Sequence, residues 1–376
     1  MTIIDGIETD TRVTATKIAT GGLGWGGALL AGLLAFVVAL GAGAGAGAAA
    51  GEECLRAINL AGAEFGEGRG RIGHDYVLPS AATLDHFAGK GMRAVRLPIS
   101  WPRLQPVPNG DLDTDHLAEI RRTIGEARGR GLRTILDIHS YGRWKDRVVG
   151  SPELPIDAFA DLWRRLAVVF RGERDVVFGL MNEPHDLDRR LWRDAAQAGV
   201  DAVRRAGAGN LVLVPGADWS GAHSWEAPGD ATSNAALMAT IRDPAGNLAF
   251  EVHQYLDGDF SGTSPTCGRA EEAIAALRRF RAWATRTGVR GFLGEIGASD
   301  RPECLAALAA ALAEVDAHPR AWLGWAYWAA GEWWPPSYPF SVQPTAAGDR
   351  PQMTELERSI ARGSGRRGTC APPSRD

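Results

Sequence analysis

Short, continuous apolar runs alternate along the chain with longer segments in which apolar positions recur every three or four residues. Eight runs read as strands, at 57–65, 94–99, 133–139, 176–183, 210–216, 248–255, 290–297 and 321–328. The segments that follow them read as helices, at 81–91, 115–130, 157–171, 187–206, 234–242, 269–287, 302–318 and 352–362. FADLWRRLAVVF shows the helical spacing, with arginine and aspartate filling the outward positions. The strand runs do not alternate apolar with polar, as expected of strands covered on both faces.

Strict β–α alternation leaves two architectures, an open doubly wound sheet and a closed barrel. From the second run onward each strand ends in a chemically active side chain or opens into a polar loop. A barrel gathers all strand ends at one face, whereas an open sheet has one crevice and would scatter several of them. The expected fold is therefore α/β, a single (β/α)8 TIM barrel over residues 51–362.

Residues 1–50 stand outside this alternation. Arg12 and Lys17 precede an uncharged stretch with the apolar centre GALLAGLLAFVVAL and the small-residue trail AGAGAGAAAG. That order is the order of a secretory signal, with A-x-A-like cleavage options between Ala44 and Ala50. Left uncut, the stretch is long enough to anchor the chain in a membrane. Its weakly apolar second half favours cleavage, and with it an extracellular or periplasmic protein. The residues before Cys54, Gly51-Glu52-Glu53, lack the small apolar character of a lipoprotein box. The tail at 363–376 is basic, rich in Gly and Pro, and reads as a surface extension. A formal charge of −4, from 41 basic and 45 acidic residues, gives no reason to expect a nucleic-acid partner. A monomer is expected.

Two strand ends carry the sharpest chemistry. VVFGLMNEPHD closes the fourth run on Asn182-Glu183-Pro184, and RGFLGEIGAS closes the seventh on Glu295 between glycines. In an eight-stranded barrel those two strands face each other across the top opening. Two carboxyl groups aimed at one cavity from opposite sides are what glycoside hydrolysis needs, and a separation of about 5–5.5 Å implies retention through a covalent intermediate. One must be kept protonated and the other ionised.

With these residues in place, the sequence resembles glycoside hydrolase family 5, most of all its endoglucanase branch. The likeness rests on GMRAVRLPISW, ILDIHSYGRW, FGLMNEPHD, FEVHQYLDGDFSGTSPTC, GFLGEIG and GWAYWAAGEWW, in that order from about residue 57 to 343. It implies Glu183 as acid/base and Glu295 as nucleophile. It implies Arg96 as the arginine beside the nucleophile, His139 as an active-site histidine with Asp137 as its structural partner, and Asn182 as the residue that bonds the sugar 2-hydroxyl. His253 and Tyr255 would flank the carboxylates, and Trp328 would lie under the attacked sugar. Thirteen Trp against five Tyr leave further stacking candidates in Trp144, Trp219, Trp225, Trp333 and Trp334, each of which could equally be core. His185 and Asp186 read as loop-fixing residues. Four cysteines, all after the leader, fit export and allow three pairings. The strand map puts Cys267 and Cys304 in adjacent top-face connections and Cys54 and Cys370 near the bottom seam; adjacency permits a bridge without proving one. The family likeness also implies the Cys267–Cys304 bond.

No metal or cofactor is expected. The third strand offers Asp-Ile-His rather than His-x-His, and there is no HExxH, dinucleotide or P-loop pattern. The implied function is a retaining endo-β-1,4-glucanase acting on β-glucan or cello-oligosaccharide. A β-mannanase, a xyloglucanase or an exo-acting glucosidase on the same fold stays open, as do a non-catalytic carbohydrate-binding protein and a membrane-anchored interaction protein. The absence of a recognisable cellulose-binding module points to soluble or amorphous glucan.

Overall fold

The computed structural model describes residues 54–364. The leader, the tail and Cys370 lie outside them, and with them the expected Cys54–Cys370 pairing. Among the described residues no cysteine is free, and no helix is long and apolar enough to cross a membrane.

Eight barrel strands form: β1 (Leu55–Leu60), β2 (Ala94–Ile99), β3 (Arg133–Ile138), β4 (Val176–Gly179), β5 (Val212–Pro215), β6 (Leu248–His253), β7 (Gly291–Ile296) and β8 (Trp322–Ala330). Each pairs with its neighbours in the chain, and β1 closes the ring against β8, so the sheet is a closed parallel barrel. The intervening helices are α1 (Ala81–Gly89), α2 (Thr114–Gly129), α3 (Ile156–Phe170), α4 (Arg189–Arg205), α5 (Asn234–Met238), α6 (Ala270–Thr287), α7 (Pro302–Asp316) and α8 (Gln352–Ser364). Asp113 and Asp188 cap α2 and α4 by accepting backbone N–H bonds in the first turn, which satisfies donors a helix start leaves open.

The barrel is filled in layers. A lower layer is apolar, built from Ala57, Ala94, Ile135, Val177, Leu213, Ala249 and Phe292 among others. Above it the inward positions turn polar. Two buried tryptophans steady the strand ends that carry this polar layer: Trp163 of α3 donates its indole N–H to the carbonyl of Leu180 at 3.1 Å, and Trp192 of α4 donates to that of Pro215 at 2.9 Å. Cys267 and Cys304 are bonded, with 5.4 Å between their Cα atoms, tying the loop after β6 to the first turn of α7.

Four local features depart from expectation. β4 ends at Gly179 rather than running to Glu183; beyond it the N–H of Leu180 still bonds Leu213 and that of Asn182 bonds Ile138, so the chain stays near the wall without a full ladder. The helix expected at 234–242 closes at Met238. A two-residue hairpin, Arg143–Trp144 with Arg147–Val148, and a single turn, Trp101–Leu104, lie in loops and are too short for periodicity to reveal.

Candidate active site

Strand register assembles the site. Asn59 of β1 stands beside Arg96 of β2, and His253 of β6 stands beside Glu295 of β7. Arg96 is wholly buried at the hub. Its guanidinium reaches Glu295 at 3.0 Å, Glu251 at 3.0 Å and Asp137 at 3.2 Å, and donates to the Oδ1 atoms of Asn59 at 2.9 Å and Asn182 at 2.8 Å. A planar fork with five donors suits such a hub.

That bond decides how Asn182 is turned. A guanidinium only donates, so Oδ1 of Asn182 faces Arg96 and its Nδ2 faces Nε2 of His139 at 3.0 Å. When neutral, His139 accepts at Nε2 and carries its proton on Nδ1, bonded to Asp137 at 2.8 Å; burial opposes its charged form, but Asp137, Glu64 and Glu295 outweigh it and raise the pKa. The second hydrogen of the Asn182 amide remains for a ligand.

The two glutamates meet across His253. Its Nδ1 lies 2.8 Å from Oε1 of Glu183 and 3.6 Å from Oε2 of Glu295, and its Nε2 lies 3.2 Å from Glu251. Burial opposes a charged His253, but Glu295, Glu183 and Glu251 prevail and hold its pKa up at about 10, so both nitrogens donate. Glu295 also accepts the Tyr255 hydroxyl at 2.6 Å. Burial raises the pKa of Glu295, and Glu183 adds to the rise, while the cations of His253 and Arg96 pull the other way. Glu295 accepts from Arg96 and Tyr255 besides facing the imidazolium, and Glu183 accepts from the imidazolium, so Glu295 is the better held as an anion. Glu183 itself sits at φ +42°, in the left-handed region, where the wall turns into its loop.

Gly294 shows how closely this layer is packed. A Cβ there would lie 2.2 Å from Oε1 of Glu251, so the residue before Glu295 has room for no side chain.

One ligand atom each from Glu183, His253 and Glu295 lies within 4.8 Å of the others, a spacing that a cation could bridge. The positive charge there is already supplied by the Arg96 guanidinium and the His253 imidazolium, so the donor set does not fit a resident metal.

Arg96, His139, Asn182, Glu183, His253, Tyr255, Glu295 and Trp328 converge on one cleft, with the Trp328 ring 5.5 Å from that of His139. The structure corrects two of the stacking candidates. Trp225 is fully buried against Phe250, Phe280 and Trp283, and is core. Trp144 is buried and donates its indole N–H to Gln105 beneath the loop. Trp219 differs: it is 48% exposed, stacks on His185 at 4.5 Å, and bonds through its backbone N–H to the carbonyl of Pro184. Trp333 lies flat on Phe65 at 4.7 Å, and Trp334 meets Trp328 edge-on at 6.2 Å. His185 and Asp186 bond each other at 2.8 Å. Sequence reasoning missed Asn59 and Glu251. Both are lone polar residues inside buried strands, and Glu251 lies two positions before His253, on its face of the strand.

A closed barrel with paired carboxyl groups above a polar layer defines a glycoside hydrolase. The model of the cellulase family, glycosyl hydrolase family 5, matches residues 49–331, and the chain belongs to that family. It is 33% identical over 292 residues to endo-beta-1,4-glucanase A of Emericella nidulans, covering 77% of this chain and 86% of that one. Among solved structures, an endo-beta-1,4-glucanase of Xanthomonas axonopodis pv. citri is 46% identical, with a TM-score of 0.78 and coverage of 81% of this chain and 98% of the other. XacCel5A in complex with cellopentaose is 42% identical, with a TM-score of 0.80 and coverage of 82% and 99%.

Proposed function

We propose that the protein cleaves internal β-1,4 bonds of glucan chains with retention of anomeric configuration, Glu295 acting as nucleophile and Glu183 as acid/base. The observation that carries this reading is the approach of the two carboxyl groups, whose oxygens come within 4.8 Å. So close an approach favours direct attack on the sugar, for which the carboxyl groups lie about 5–5.5 Å apart, over the wider separation of about 6.5–9.5 Å that seats an inverting enzyme's water.

In the first step Glu295 attacks the anomeric carbon of a sugar resting on Trp328, while Glu183 gives its proton to the departing glycosidic oxygen. The ester consumes the charge of Glu295, and Glu183, having given up its proton, is left as the base for the second step. Glu183 then takes a proton from water, whose oxygen attacks the anomeric carbon and frees Glu295. Asn182 serves the 2-hydroxyl through its spare N–H, with its orientation fixed by Arg96 and His139. Tyr255 and Arg96 keep Glu295 aimed and charged. Trp219, tied to the loop of Glu183, supplies a stacking surface on the leaving-group side.

The named activities of the relatives favour glucan, and the cellopentaose bound to XacCel5A favours a cello-oligosaccharide. We assign residues 1–50 to export, residues 51–362 to catalysis by a monomer, and 363–376 to a surface tail. Reducing ends released from β-glucan, mannan and xyloglucan test the substrate: dominant release from glucan is expected, and dominant release from mannan would overturn it.

A further inference from the structure

Past β1 the chain runs Ala61-Gly62-Ala63-Glu64-Phe65, and Glu64 takes no part in the contacts described above. Its Oε2 accepts the Gly62 N–H at 2.6 Å. Its Oε1 is buried and has no hydrogen-bond partner among the described residues. Buried polar atoms are nearly always paired, so an open one next to a binding cleft marks where a ligand atom arrives.

The surroundings say which part of a ligand. The charged and titratable groups that act on Glu64 include His139 and Asp137 of the β3 end, Tyr141 just beyond it, and the Arg103 guanidinium, which bonds the carbonyls of Ala63 and Phe65 on either side. Phe65, the next residue, lies flat on Trp333 and edge-on to Trp334, which meets Trp328. β1 adjoins β8, which carries Trp328, whereas Glu183 follows β4 on another wall. Under the proposed reaction the leaving group departs beside Glu183, so the retained sugars run away from it, over Trp328 toward Phe65 and Trp333.

We infer that Glu64 is a glycone-binding residue, its open Oε1 hydrogen-bonding a hydroxyl of the sugars on the Phe65–Trp333 side of the cleaved bond. The inference rests on the glycosidase reading above. Burial raises the pKa of Glu64 to about 7, against the pull of His139 and the Gly62 N–H. Because Oε2 must accept from Gly62, the proton, when present, sits on Oε1 and points at the ligand. Below neutrality Glu64 therefore donates to the sugar, and above it the group is a buried anion that only accepts.

The test compares wild type, Glu64→Gln and Glu64→Met on chromogenic β-cellobioside and β-cellotrioside, with melting curves for each protein. Glu64→Met is expected to raise KM about tenfold on both substrates with kcat little changed, the loss of one hydrogen bond. Glu64→Gln keeps an N–H where the acid had its proton. Wild type is expected to show a KM that rises above pH 7, and Glu64→Gln to hold the wild-type value of pH 5–6 without that rise; a wild-type KM flat across pH 7 would overturn the proton-donor role. A Glu64→Met protein that melts earlier at unchanged KM would make the residue structural and overturn the inference. Should that variant not fold, a KM in Glu64→Gln that climbs with pH as in wild type overturns it instead. A wild-type protein inert on both substrates would sink the glycosidase reading itself, and this inference with it.

Discussion

Arg96→Met removes the positive charge at the centre of the polar layer while keeping an unbranched side chain in its place. Glu295, Glu251 and Asp137 each lie within 3.2 Å of the guanidinium, and its side chain is wholly buried. Stranding one partner of a buried ion pair costs about 3–5 kcal/mol, and here three carboxyl groups lose the same partner, which places the loss toward the upper end near neutral pH. The pH dependence has a definite sign. Burial raises the pKa of Glu251, but Arg96 and His253 lower it further, so it sits below the usual carboxylate value. A carboxyl held low stabilises the fold above its unfolded titration range, and that stability fades as pH falls through the folded value. Without Arg96 burial prevails, Glu251 is pushed up, and protonation relieves the strain instead of adding to it. Urea unfolding at pH 7 and pH 4 is the assay. The gap between the proteins is expected to be about 4–5 kcal/mol at pH 7 and clearly smaller at pH 4. A gap under about 1 kcal/mol at pH 7, or one equal at both pH values, would refute the hub role of Arg96.

Trp225→Ala is expected to cost about 3–5 kcal/mol in urea unfolding and leave KM for cellohexaose within about twofold, because that ring is core. Trp219→Ala is expected to do the reverse, with stability changed by less than about 1 kcal/mol and KM raised about tenfold, since its ring is exposed; equal effects from the two would contradict the placement. Removing the Cys267–Cys304 bond by a double alanine substitution frees a loop with a sequence separation of 37. A stability loss of about 3–4 kcal/mol is expected, read from the unfolding midpoint, with kcat/KM unchanged below the transition.

The eight-fold alternation was legible because each strand is buried on both faces and each long helix has one buried stripe, patterns that survive in a single sequence. Edges were less legible. The run VVFGLM is unbroken by any polar residue, yet the ladder stops at Gly179 because the chain beyond it must swing Glu183 into the cleft at a positive φ. The same limit applies to Tyr255: residues 248–255 read as one strand, but β6 ends at His253 and the hydroxyl reaches Glu295 from the loop. Asn59, Glu251 and Glu64 went unread for another reason. A polar residue in an apolar run does not show in sequence that it faces the barrel interior, and the Arg96 partner that Asn59 and Glu251 share lies on a strand far along the chain. Among the tryptophans, sequence offered no means of separating Trp219 from Trp225, since exposure is set by tertiary packing.

The assignment of Glu183 and Glu295 to a double displacement is tested most directly by proton NMR of the first-formed product from a cello-oligosaccharide, recorded before mutarotation. The β-anomer is expected to appear first and the α-anomer to follow at the rate of spontaneous exchange. An initial burst of α-anomer would mean single displacement by water, and would contradict the covalent route that the short carboxyl separation supports.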